Sequence, residues 1–159
     1  MKINVVSVGS IKEKYFKDAI SEYSKRLSKY CSVEFFEVKD EMIKDNSSEK
    51  DDEIVKRTEG ERILKVIPKN SFIILLDLRG EMLDSVAFSK KIDDITKYGN
   101  SNITFIIGGS IGVSKEVYDA ADYKLCFSKM TFPHKLMKVI LLEQVYRAFK
   151  ILNNETYHK

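Results

Sequence analysis

The residues best suited to chemistry lie in the last third of the chain. FIIGGSIGVSKE runs from Phe105 to Glu116, YKLCFSKMTFPHKLMKVILLEQVYRAFK from Tyr123 to Lys150, and the chain closes on Tyr157-His158-Lys159. Glycine lets the backbone approach a ligand closely, and Arg, Lys and His side chains can hold a phosphate backbone. GGSIG lacks the spacing of GxGxxG and the GK[ST] ending, so it is neither the dinucleotide fingerprint nor a phosphate loop. Gly108, Gly109 and Gly112 therefore either contact a ligand or simply make a tight strand-to-helix turn. The run Phe127 to Phe132 either wraps an adenine-sized group with its amides and carbonyls or uses its two phenylalanines to fill core. Ser128 and Thr131 are hydrogen-bonding groups or turn and cap residues.

Other chemistries are poorly served. Ser110 lacks the GxSxG nucleophile elbow, so a serine hydrolase reads badly. The chain has only two histidines, His134 and His158, and no cysteine or carboxylate spacing replaces them, so no metal is expected. Cationic side chains are more promising. Lys135, Lys138, Arg147 and Lys150 can face phosphates from the last helix, or make an ordinary solvated face. Arg147 stands between Tyr146 and Ala148 in a largely apolar run, and its planar fork suits a phosphate or a carboxylate; Glu143 one turn earlier can pair with it. Asp77 ends a strand, facing a ligand, pairing with Arg79 or capping the turn. Tyr157 would stack on a base and Lys159 would meet a phosphate if the tail covered a pocket; otherwise it is a frayed terminus.

These groups need a frame, and apolar periodicity supplies one. Ile3–Val8 reads as a buried strand closed by Gly9, and a helix from about Glu13 carries Phe16, Ile20, Tyr23, Leu27 and Tyr30 as a stripe. Val33–Val38 is a second strand, and Lys39–Ser48 a mobile polar loop. Ser48 with Asp51 predicts a capped helix start, ended near Pro68. Phe72–Asp77 is continuously apolar until its last residue, as in a sheet covered on both faces. A turn at Leu78–Glu81, a helix marked by Phe88, Ile92 and Ile95, a strand at Ile103–Ile107, a short helix after Ser114 and a strand at Tyr123–Phe127 follow. Pro133 suits the first turn of a last helix of about five turns. The alternation predicts an α/β fold with a mostly parallel sheet and helices on both faces. In such sheets ligands gather beyond the strand C-termini where strand order reverses, which selects Leu76–Gly80, Gly108–Gly112 and Phe127–His134.

The 159 residues favour one compact domain, and 27 Lys and Arg against 24 Asp and Glu leave a net charge of +3. Asp40–Arg62 holds 9 acidic and 5 basic residues, whereas Ser128–Lys159 holds 6 basic and 2 acidic, so a polyanion would meet the C-terminal surface first. Cys31 and Cys126 sit beside apolar runs and read as buried free thiols in a reducing compartment. The opening MKINVVSVGS is too short an apolar run for a signal peptide, and no segment reaches membrane-spanning length. A cytoplasmic protein without a membrane partner is expected.

Several of these motifs together resemble the RlmH family of SPOUT-class methyltransferases, which act on pseudouridine in large-subunit (23S) ribosomal RNA. The likeness is carried by Leu76, FIIGGSIGVS, LCFSKMTFPHKLMKVILLEQVYRAFKI and the closing ETYHK, with INVVSVGSIKEKYFKDAISEYSKRL at the start. It implies one SPOUT domain over residues 1–159, with residues from about 72 to 159 tied in a deep trefoil knot around the cofactor. It implies S-adenosylmethionine as cofactor, held by Leu76, Gly108, Phe127, Ser128, Lys129, Met130, Thr131 and Phe132. Arg147, Tyr157 and His158 match the positions that bind target RNA or support catalysis. The implied partners are a second copy of the chain, whose tail completes the pocket, and ribosomal RNA in the assembled ribosome, rather than DNA. Ile111 departs from the pattern, since familiar members carry a polar residue there.

Overall fold

The computed structural model describes residues 1–158, and Lys159 lies outside the described residues. Five strands, β1 (Lys2–Val8), β2 (Ser32–Val38), β3 (Phe72–Met82), β4 (Asn102–Ile107) and β5 (Tyr123–Cys126), form one sheet in the order β2-β1-β4-β3-β5. Every strand pairing in it is parallel. The helices are α1 (Lys14–Leu27), α2 (Glu49–Val66), α3 (Ser85–Lys97), α4 (Lys115–Ala120) and α5 (His134–Leu152).

Alternation along the strands divides the core. Ile3, Val5, Ile74, Ile103, Phe105 and Ile107 point to one face and pack with Leu27 of α1, Phe88, Ile92 and Ile95 of α3, and Leu141, Leu142 and Val145 of α5. Val6, Val8, Leu75 and Ile106 point to the other and meet Ile63 of α2 and Val117 of α4. Each such side chain removed from water contributes about 1.5–3 kcal/mol, which is why the continuously apolar runs became central strands. Local signals fix the helix starts. Ser48 Oγ accepts from Asp51 N–H at 3.2 Å while the Asp51 carboxylate accepts from Ser48 N–H at 3.0 Å, a full capping box with aspartate in the place of glutamate. Asp84 and Ser114 cap α3 and α4 with one bond each, accepting from the N–H of Ala87 and of Val117. Pro133 stands one position ahead of α5, at its N-cap.

Two expectations change. Strand β3 does not turn at Leu78 but continues to Met82, and its ladder to β5 breaks so that Leu76 and Glu81 both register with Leu125. Gly80 permits this: a Cβ there would stand 2.7 Å from the Leu125 backbone, so no other residue fits without moving the strand. The loop expected to be mobile is tied at its start, where Arg62 Nη1 donates to the Lys39 carbonyl at 2.8 Å and pairs with Glu41.

Candidate functional site

From β3 the chain steps inward to β4 and then crosses back past β3 to β5, so strand order reverses here. The three strand ends open into a cavity of about 840 Å³, lined by all three stretches singled out from sequence. Leu76, Gly108, Phe127, Ser128, Met130, Thr131 and Phe132 all line it, while Lys129 is exposed and stands outside its lining. The ambiguity at Phe127 resolves into both roles: its ring packs against Phe88, with centroids 6.3 Å apart, and also walls the cavity. Ser128 Oγ accepts from Met130 N–H at 3.0 Å, so this hydroxyl shapes the turn. Gly109 and Gly112 bridge to one another, with Gly112 at φ 89°, which holds the β4–α4 loop as a tight turn along the cavity. Ile111 is half-buried and lines the cavity too.

The bulge of β3 adds groups that sequence reading placed only loosely. Asp77 accepts from the Arg79 backbone at 2.8 Å and from its guanidinium at 2.9 and 3.1 Å, so it caps the turn and pairs with Arg79 at once, while also lining the cavity. Arg79 beside it holds the Asp77 carboxyl below the usual carboxylate range. The same guanidinium lies 4.4 Å from the Tyr118 ring centroid. From α5, His134 and Met137 complete the wall. His134 is half-buried, and burial lowers its pKa. His134 closes the Phe127–His134 stretch selected from sequence, whereas Met137, one turn further on, lay outside it.

The four cations of α5 each have a carboxylate partner. Lys135 is bound by Glu13 at 2.7 Å, Lys138 by Glu37 at 2.9 Å, Arg147 by Glu143 at 2.6 Å and Lys150 by Glu155 at 2.6 Å. Lys138 is buried as well. Three of the four carboxylate partners come from outside α5, so the helix sequence alone could not show the cations to be neutralised. Only the Glu143–Arg147 pair, at i,i+4, was legible.

Arg147, Tyr157 and His158 form one cluster. Arg147 Nε and Nη2 donate to Glu143 Oε1, and Tyr157 donates to Glu143 Oε2 at 2.7 Å. The guanidinium lies 4.6 Å from the Tyr157 ring centroid, and Nη1 is 3.4 Å from His158 Nδ1. Tyr157 packs edge-on against Tyr146, and burial with Glu143 nearby raises its pKa. Burial and the same Glu143 push the Tyr23 hydroxyl of α1 up to about 12. Arg147 lies thirteen residues beyond His134 on one helix, which is about 20 Å at 1.5 Å per residue. The cluster and the cavity therefore sit toward opposite ends of α5. Among the described residues no group of His, Cys, Asp and Glu can hold a metal ion, and no helix is long and apolar enough to cross a membrane.

A family model described as "Predicted SPOUT methyltransferase" matches residues 1–158. The chain is 58% identical, over all of both chains, to a ribosomal RNA large subunit methyltransferase H 1 of Clostridium perfringens. The chain belongs to the RlmH family of SPOUT methyltransferases. A ribosomal RNA large subunit methyltransferase H of Clostridium kluyveri is 54% identical, again over all of both chains. Among solved structures, a probable methylase family protein of Haemophilus influenzae matches 99% of this chain and 70% of its own, at TM-score 0.54 and 15% identity, a likeness of fold. This RlmH-family chain is thus a methyltransferase built on a parallel α/β sheet, with its cavity where that sheet reverses order.

Proposed function

We propose that the chain transfers a methyl group from S-adenosylmethionine to N3 of a pseudouridine in 23S ribosomal RNA, in the cytoplasm and on the assembled ribosome. One observation carries the reading: the cavity and the Arg147 cluster are each well formed, yet lie at opposite ends of α5. A homodimer resolves this by setting the cluster of one protomer over the cavity of its partner. We take the chain as one methyltransferase domain over 1–159, with the crossing of β5 past β3 as part of a trefoil knot within about 72–159.

The cavity fits the cofactor. Its volume is within the few hundred to about one thousand Å³ typical of small-molecule sites, and its lining is mostly apolar with backbone polar groups at three strand ends. Leu76, Gly108 and the Phe127–Phe132 turn would hold it, with Lys129 at the turn's outer surface. When bound, it supplies a methyl on a sulfonium, already activated for transfer. The protein's task is then alignment and charge handling.

N3 of pseudouridine is a weak nucleophile while protonated, so negative charge develops on the base as its proton leaves. Arg147 offers a guanidinium already oriented by Glu143, the kind of fixed donor that stabilises such charge. A guanidinium has no acceptor, so the Arg147–His158 contact makes Nδ1 the acceptor and leaves the ring proton on Nε2. His158, or a water it polarises, assists loss of the N3 proton to bulk solvent, while Arg147 offsets the charge left on the base. Tyr157 lies beside the guanidinium and can stack on the nucleotide.

The test uses labelled S-adenosylmethionine and ribosomes lacking the modification, with the label located by nuclease digestion and mass spectrometry. The expected result is label on N3 of one large-subunit pseudouridine, and none on free ribosomal RNA. No transfer by a folded dimer on unmodified ribosomes would overturn the assignment.

A further inference from the structure

Glu59 of α2 is a buried carboxylate that the proposed chemistry does not use, only 4% exposed. Its Oε1 accepts from the Glu41 backbone N–H at 3.0 Å, in the segment between β2 and α2. Its Oε2 lies against Gly109 so closely that a Cβ on that glycine would stand 2.7 Å from it. Gly109 lines the cavity, whereas Glu59 does not. The two oxygens of one side chain thus span from the 39–48 segment to the back of the glycine turn. Burial pushes the carboxyl above the usual carboxylate range, and the bond from the Glu41 amide, with Arg62 beyond it, only partly offsets this. A leucine would fill the same space without that cost, so the choice of a carboxylate calls for a task.

We propose that Glu59 is a positioning residue for cofactor binding, bridging the Glu41 amide and the underside of Gly109 so that the Gly108–Gly112 wall is fixed before the cofactor arrives. This rests on the reading of the cavity as the S-adenosylmethionine site. Gly109 is then glycine because its Cβ position is taken by the carboxylate, and the mutual dependence of the two residues gives a sharp test.

S-adenosylmethionine binding to the full chain is measured by calorimetry for the wild type, Glu59→Ala, Glu59→Gln, Gly109→Ala and the Glu59→Ala/Gly109→Ala double variant. Thermal unfolding and steady-state kinetics accompany each. Glu59→Ala and Gly109→Ala are each expected to weaken binding about tenfold, and the double variant no more than Glu59→Ala alone, because the methyl enters space the carboxylate has left. Glu59→Gln keeps the acceptor for the Glu41 amide and is expected to stay within about threefold of wild type. The KM for the cofactor should follow these values while kcat at saturation stays within about twofold, a split that loss of folded protein would not give. Wild-type affinity in Gly109→Ala, or multiplying effects in the double variant, overturns the proposal; the first holds even where Glu59→Ala fails to fold. No binding by the wild type itself would overturn the cofactor reading and this proposal with it, a result distinct from binding that Glu59 and Gly109 do not affect.

Discussion

The cavity wall is mostly backbone and apolar side chain, carried on strand ends whose other residues make up the core, whereas the tail cluster is mostly charged side chains held by one another. Leu76 continues a strand whose Ile74 and Leu75 are fully buried, and Phe127 shares its packing with Phe88. Moving that wall means disturbing the sheet. Tyr157 and His158, by contrast, are fastened through Glu143, and the tail before them through Glu155. The Glu155 carboxylate accepts from Lys29 at 2.9 Å, Tyr30 at 2.7 Å and Lys150 at 2.6 Å. One region is shaped by folding, and the other by ion pairs in contact with solvent. The difference teaches which conditions should reach each: salt and acid act on the tail, and core packing on the cavity.

The largest effect separates them at once. Arg147→Ala is expected to lower kcat by about 10²–10³-fold, the usual loss for a fixed donor to developing charge, with S-adenosylmethionine affinity within about twofold of wild type. Single-turnover methylation and calorimetry on the same preparation check it; a comparable loss of cofactor affinity would break the separation. Gly80→Val attacks the other side. Its side chain would collide with the Leu125 backbone, which cannot rotate away, so β3 and β5 must part. The expected cost is about 1–3 kcal/mol of stability by urea unfolding, together with weaker cofactor binding. Destabilisation without any change in cofactor affinity would show that the wall does not depend on the β3–β5 ladder.

Legibility followed the same division. The parallel sheet, its helices and the three converging strand ends could be read because apolar runs and turn residues are local signals, and topology places their C-terminal ends together. Phe88, Ile92 and Ile95 are all buried, and Gly108–Gly112 and Phe127–His134 meet in space. The continuation of β3 to Met82 was hidden, because Gly80 looks like a turn residue until the Leu125 backbone is known to lie against it. The partners of the α5 cations were hidden for a related reason. Lys135 and Lys138 find Glu13 and Glu37 more than a hundred residues away, and nothing in a helical period reports a partner on another element. The grouping of Arg147 with Tyr157 and His158 came from resemblance; its hub, Glu143, was read only as a partner for Arg147.

A smaller effect tests whether the tail is held as an ion-paired unit. Glu155→Gln leaves hydrogen-bonding atoms but removes the charge facing Lys29 and Lys150. A loss of roughly fivefold in kcat is expected, with cofactor affinity unchanged, in keeping with the modest energies of solvent-exposed pairs. Raising sodium chloride to about 0.5 M should narrow the gap between variant and wild type, as screening weakens what the variant already lacks. The sign of the pH dependence also follows. Lys150, Lys29 and Tyr30 hold the Glu155 carboxyl down at about 2, below the ordinary value of 4.5. Its contribution to order in the tail is therefore full above pH 4.5 and fades as pH falls from there through about 2. Tail resonances of Tyr157 followed by NMR should hold steady from pH 8 to pH 5; a transition in that window would mean another group holds the tail.

The smallest expected effect lies away from both regions and checks that the comparison concerns sites and not stability in general. Ser48→Ala removes the cap of α2, where the hydroxyl and Asp51 satisfy two backbone amides reciprocally. Such losses cost about 1 kcal/mol, measurable as a lower midpoint in urea. Glu59 lies three turns further along α2, beyond the first turn that the cap secures, so the carboxylate should keep its place under Gly109. Cofactor affinity and kcat are both expected within about twofold of wild type once the protein is folded. If cofactor affinity fell with the cap, fraying at Ser48 would be reaching Glu59, and the cavity would depend on the whole of α2 rather than on the single carboxylate that meets its wall.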